Sequence, residues 1–144
     1  MRIIGLDLGE KRIGVAAADD RTRVAIPVTT VKVTGDEVES VVSLLSEQRA
    51  DQVVVGLPLS LSGAIGPQGQ HVLEVVEKLR AHLSIPVHTW DERLTTVQAG
   101  RTARGSRGYF GPRRGKSARS AIAGRDAAAA AIMLQAFIDS GANF

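Results

Sequence analysis

The chain contains no cysteine, so neither a disulfide framework nor a thiolate metal centre is open to it, and any metal must be held by oxygen or imidazole nitrogen. That limits the choice to the ligands that hard cations prefer. Aromatic residues are scarce at 3% of the sequence, which leaves aliphatic side chains and alanine to build the core. The longest apolar runs are strand-sized, too short for a helix that spans a bilayer. The opening residues carry no charged region, apolar stretch and cleavage site in succession, so the expected location is the cytoplasm, with no membrane association.

A further absence is local. From Arg93 to Arg125 there is no acidic residue, while Arg93, Arg101, Arg104, Arg107, Arg113, Arg114, Lys116, Arg119 and Arg125 are basic. This segment carries +9 and the remainder −6, which together give the formal net charge of +3. Clustered arginine among Gly and Ser is the footprint of a polyanionic partner, because each phosphate contact releases condensed counterions. A basic run by itself is as readily a solvated loop. Its position between two acids of interest favours the first reading. Tyr109 and Phe110 lie inside the run, placed either to stack on an unpaired base or to anchor the loop to the body of the protein.

With 144 residues, the chain has the length of one domain, residues 1–144, able to bury a core but too small for two lobes around a cleft. The pattern of apolar residues predicts strands from Arg2 to Gly9, Arg12 to Ala18 and Val24 to Val33, joined by short links that suit an antiparallel meander. A helix follows from Glu37 to Arg49, with Asp36 available to cap it. Next come a strand from Gln52 to Leu57, a loop from Pro58 to Gly66, a helix from Gln68 to Leu83 and a last strand from Ile85 to Asp91. The strand, helix, strand order predicts parallel crossovers. A short helix at 94–103, a flexible Arg/Gly-rich loop at about 104–119 and an Ala-rich helix at 120–139 complete the chain. The expected class is α/β: a five-stranded mixed sheet, three strands antiparallel and the rest in parallel crossovers, with helices on both faces.

Three acids sit where apolar elements end: Asp7 late in the first strand, Asp91 or Glu92 at the end of the last, and Asp126 at the head of the apolar C-terminal helix face. Buried charges need a partner or a metal. Strand alternation puts Asp7 on the face of Gly5 and Gly9, opposite Ile4, Leu6 and Leu8, and puts Asp91 and Glu92 on opposite faces, so that only one of them joins Asp7. The alternative roles are turn capping for Asp7 and helix capping for the others. Converging carboxylates repel unless a divalent cation neutralises them. Mg2+ or Mn2+ suits an all-oxygen site, and two such ions about 4 Å apart would serve an in-line displacement at phosphorus. His71, His82 and His88 have no ligand spacing and read as structural. Lys11 and Arg12, with the Gly9 and Gly14 backbone, could form a phosphate-facing hairpin, or only a tight turn.

The run from Gly5 to Ala16, the segment Val55-Gly56-Leu57-Pro58-Leu59 with Gly63 and Gly66-Pro67-Gln68, then Asp91-Glu92-Arg93-Leu94-Thr95-Thr96, and the stretch from Asp126 to Gln135 together resemble the YqgF/RuvX family. That family comprises RNase H-like nucleases described as Holliday junction resolvases and as enzymes maturing the 5′ end of pre-16S ribosomal RNA. The four segments occur in the family's order and span nearly the whole chain. Arg125 is a departure, since family members usually carry an apolar residue before the last Asp.

The resemblance implies an RNase H-like fold and metal-dependent phosphodiester hydrolysis, with Asp7, Glu92 and Asp126 as catalytic metal ligands and Asp91 as runner-up. The expected nucleic-acid contacts are Lys11, Arg12, Arg93, Arg104, Arg107, Tyr109, Phe110, Arg113, Arg114, Lys116, Arg119 and Arg125. A four-way DNA junction and a precursor ribosomal RNA are both candidate substrates, and symmetric junction cutting implies a homodimer. Two rivals are a non-catalytic RNA-binding or ribosome-assembly factor on the same fold, and one lobe of an actin-like ATPase, whose phosphate hairpin the Asp7-Leu8-Gly9 turn also resembles.

Overall fold

A computed structural model describes residues 1–33, 36–60, 62–93 and 118–141. Within them lie β1 (Arg2–Leu8), β2 (Arg12–Asp19), β3 (Ile26–Lys32), α1 (Glu37–Glu47), β4 (Gln52–Leu57), α2 (Pro67–His82), β5 (Val87–Asp91) and α3 (Ala118–Asp139). The strands form one sheet in the order β3-β2-β1-β4-β5. The pairs β1/β2 and β2/β3 are antiparallel, and β1/β4 and β4/β5 are parallel. This is the mixed sheet that the element order predicts. The short helix expected at 94–103 and most of the Arg/Gly-rich segment at 104–119 lie outside the described residues.

Alternation along the strands divides the interior in two. Ile4, Leu6 and Leu8 of β1, Ile13 and Val15 of β2, and Val53 and Val55 of β4 face α1 and α2, which contribute Val41, Leu45, Val72, Val76 and Leu79. On the other face, Ile3, Ala16, Ala18 and Val54 meet Ala130, Met133, Leu134, Phe137 and Ile138 of α3. Small residues let α3 lie close to the sheet. A Cβ on Gly5 would stand 2.9 Å from Cβ of Leu134, and one on Gly14 would stand 2.0 Å from the carbonyl oxygen of Asp126, well inside contact distance.

Most element ends agree with local chemistry. The Asp36 carboxylate accepts hydrogen bonds from the N–H groups of Val38 at 3.0 Å and Glu39 at 3.3 Å, capping α1 as expected. Two strands start later than their composition suggests. Before β3, the Asp19 carboxylate accepts from Arg21 N–H and the Asp19 carbonyl from Arg23 N–H, both at 2.8 Å. Arg23 has φ 55°, so the chain is still turning at Val24 and β3 begins at Ile26. Ahead of β5, Pro86 has no N–H for a ladder and offers only its carbonyl, which accepts from Val53 N–H at 3.0 Å.

Candidate active site

Asp7 is the last but one residue of β1, on the α3 face, and its partner in register on β2 is Gly14. Above Gly14 passes the backbone of Asp126, so the missing side chain brings α3 down beside Asp7. Glu92 follows β5 directly and its carboxyl reaches over Gly56 of β4, where a Cβ would come within 2.6 Å of Oε1. Gly14 and Gly56 thus clear space on the two strands that flank Asp7. The end of β5 is itself anchored from below. His88 Nε2 is hydrogen-bonded to Gln52 Oε1 at 2.9 Å, and Trp90 meets Phe137 of α3 edge-on at 5.9 Å between ring centres.

Asp7 and Glu92 are hydrogen-bonded carboxyl to carboxyl, which requires a proton between them. Burial, the charge of Asp7 and that hydrogen bond push the Glu92 carboxyl up from its usual 4.5 to about 7. The Asp7 carboxyl is also raised, by burial and then by the charge of Asp126. The pair therefore titrates as a unit, and Glu92 is the partner that keeps the proton longer, since it donates in their hydrogen bond. Asp126 is compensated differently: Arg12 Nε donates to its Oδ2 at 2.9 Å.

The third carboxylate stands apart on its arginine, and among the described residues no three acids or histidines are grouped as a ready ligand set. The donor chemistry nevertheless fits a hard divalent cation. Two half-buried carboxyls in contact hold a proton past the usual carboxylate range, the mark of negative charge lacking a counter-ion, and every candidate donor atom is oxygen. Asp91, the alternative ligand, is occupied otherwise. Its Oδ2 takes Arg93 Nη2 at 2.6 Å and its Oδ1 takes the Arg93 backbone N–H at 2.9 Å.

Of the residues expected to meet nucleic acid, Lys11 is exposed in the β1–β2 turn, Arg12 lies on Asp126 and Arg93 on Asp91. Arg104, Arg107, Tyr109, Phe110, Arg113, Arg114 and Lys116 lie outside the described residues, as do the side chains of Arg119 and Arg125 at the start of α3. The histidines hold the fold: His71 pairs with Glu37 at 2.8 Å and His82 Nδ1 is hydrogen-bonded to the Lys78 carbonyl at 2.8 Å. Sequence reasoning missed Gln68, whose Nε2 donates to the Leu8 carbonyl at 3.1 Å and ties the start of α2 to the strand end that carries Asp7. The signal was its place in the first turn of a helix that opens Gly66-Pro67.

The sheet order, with α1 and α2 on one face and α3 on the other, is that of the RNase H-like fold. Thermus thermophilus RuvC, solved in complex with a Holliday junction substrate, superposes with a TM-score of 0.60 at 16% identity, covering 98% of this chain and 96% of that one. The fowlpox virus resolvase superposes with a TM-score of 0.57 at 12% identity over 99% and 100% of the two chains. These likenesses establish the fold. In sequence, the RuvX family model, described as Holliday junction resolvase, matches residues 1–140. A protein of Caldanaerobacter subterraneus subsp. tengcongensis, provisionally named a pre-16S rRNA nuclease, is 40% identical over 99% of both chains. One of Desulforamulus reducens with the same provisional name is 35% identical over 99% of this chain and 100% of its own. The chain belongs to the RuvX family of nucleases, and nucleic acid is its class of substrate.

Proposed function

We propose that this chain is a divalent-metal-dependent endonuclease that hydrolyses phosphodiester bonds in structured nucleic acid, at a four-way DNA junction or at the 5′ end of precursor 16S ribosomal RNA. The observation that carries this reading is the half-buried Asp7–Glu92 contact at the carboxyl ends of β1 and β5, where open parallel sheets bind ligands.

Asp7, Glu92 and Asp126 are the residues that would hold Mg2+ or Mn2+. Bound there, one ion or a pair supplies an activated water and a counter-charge for the departing 3′ oxygen. The chain's own part is to set the stage. Asp7 and Glu92 surrender their shared proton when the site is loaded, while Gly14 makes room for the Asp126 backbone and Gly56 for the Glu92 carboxyl, so that both acids can stand beside Asp7. Lys11, Arg12, Arg93 and the basic run through Arg125 bind the flanking phosphates, with Tyr109 and Phe110 stacking on unpaired bases. The chain works as one domain in the cytoplasm, and junction cutting calls for a homodimer. Among the described residues no helix is long and apolar enough to cross a membrane.

The deciding experiment offers one preparation a four-way DNA junction and a precursor 16S RNA under the same conditions, with Mg2+ and with Mn2+. Metal-dependent cutting of either supports the reading and names the substrate. Binding to both in chelator, with no cutting when metal is restored, would make the chain a binding module.

A further inference from the structure

The three acids of the site fall into two arrangements: Asp7 and Glu92 hydrogen-bonded to each other, and Asp126 paired with Arg12. The second arrangement is built to open. Arg12 uses only Nε, on one oxygen of Asp126, at 2.9 Å. Among the described residues its two terminal nitrogens have no acceptor. Its side chain is 40% exposed and that of Asp126 32%, and a half-exposed pair held by a single contact is weak and easily exchanged. A guanidinium whose terminal fork faces solvent is already presented to a phosphate, the anion that its two parallel N–H groups fit best. The backbone beneath it is fixed, because the Arg12 carbonyl accepts from Gly9 N–H at 2.8 Å to close the β1–β2 turn.

We propose that Arg12 is a latch that keeps Asp126 away from the Asp7–Glu92 pair until a backbone phosphate of the substrate draws its guanidinium off, so that nucleic acid completes the cation site. This rests on the nuclease reading above and adds an order of assembly to it. Free Asp126 is then available as the third oxygen donor only while Arg12 is engaged elsewhere. By linkage, phosphate backbone and divalent cation each raise the other's affinity by the same factor. Arg12 is on this account a positioning residue, acting on the metal site through Asp126.

The test is calorimetric titration of Mn2+ into the full chain and its Arg12→Gln variant, each alone and with a phosphorothioate oligonucleotide, which keeps the backbone charge and resists cutting. Removing the latch should tighten Mn2+ binding in the absence of nucleic acid by roughly 5-fold or more, in the usual range of such couplings. The oligonucleotide should tighten it in the wild type and have little further effect in the variant. Lys11→Gln removes a neighbouring charge that holds no acid, so the gain in Arg12→Gln must exceed the gain there. Arg12→Lys, which keeps the charge, should bind Mn2+ as the wild type does, and it serves also if Arg12→Gln does not fold: a tighter Arg12→Lys would then contradict the latch. Unchanged or weaker Mn2+ binding in Arg12→Gln overturns the latch and leaves the nuclease reading standing. Absence of Mn2+ binding to the wild type, with oligonucleotide present, removes both.

Discussion

The Glu92 carboxyl occupies the space that a side chain on Gly56 would fill, with a would-be Cβ only 2.6 Å from Oε1 and 3.2 Å from Cγ of Glu92. Gly56→Ala should therefore push the carboxyl off Asp7 while leaving the sheet intact, because the group displaced is the end of a flexible side chain. Cleavage should fall on the order of 100-fold for a displacement near 1 Å, with a melting temperature close to wild type. Gly14→Ala meets the Asp126 backbone instead, so α3 must move, and denaturant titration should show a loss of about 1–3 kcal/mol. Equal stability losses in the two variants would contradict this distinction.

The Glu92 carboxyl also sets a pH dependence. Its folded value of about 7 lies above its usual 4.5, so between those limits the folded protein binds more protons than the unfolded chain. Stability in chelator should then be greatest on the acid side and decline as pH rises through that window. The Asp7 carboxyl, also raised, acts in the same direction. Melting curves across this range should show the decline in the wild type and a flatter profile in Glu92→Gln. A wild-type stability that rises through the window would reverse the assignment.

Loading the site should exchange the shared proton for metal. Binding at neutral pH should release protons, visible as a dependence of the calorimetric heat on the ionisation enthalpy of the buffer. Saturating Mg2+ or Mn2+ should raise the melting temperature, with about 2.7 kcal/mol of added stability at a hundred times Kd, and the rise should shrink in Asp7→Asn. Indifference of the wild-type melting curve to metal would argue against a site at this pair.

The basic segment makes a separate prediction. Replacing Arg104, Arg107, Arg113, Arg114 and Lys116 with Ala should weaken binding across unrelated sequences and flatten the slope of log affinity against log salt by about 0.7 to 0.9 per lost phosphate contact. Replacing Tyr109 and Phe110 should leave the slope alone and weaken only substrates with unpaired bases, by roughly 1–3 kcal/mol per stacked base. A slope that does not move after the basic replacements would assign the phosphate track to Lys11, Arg12 and Arg93.

The sheet was legible because the strand-sized apolar run Ile3–Leu8, the β-branched run Val53–Val55 and the helical stripe of Val38, Val41 and Leu45 are local signals of burial. The starts of β3 and β5 were misplaced because β-branched composition at Val24 and Ile85 outvoted an Asx turn and a proline. At the site, alternation put Asp7 with Gly5 and separated Glu92 from Asp91, as the structure has them. What no pattern carries is the choice of partner. Arg12 and Asp126 are far apart in sequence, and their pairing follows from α3 settling onto Gly14, a packing fact. Arg93 likewise turns to Asp91, a neighbour that sequence reasoning treated only as a rival ligand.

The most direct measurement is cleavage of a labelled junction and a labelled precursor RNA by the wild type, Asp7→Asn, Glu92→Gln, Asp126→Asn and Asp91→Asn, with Mg2+ or Mn2+ and with chelator. The account predicts cutting by the wild type only with metal, none by the first three variants despite near-normal fold and nucleic-acid binding, and a milder loss in Asp91→Asn. Cutting that persists in chelator, or near wild-type cutting by Asp7→Asn, would contradict it.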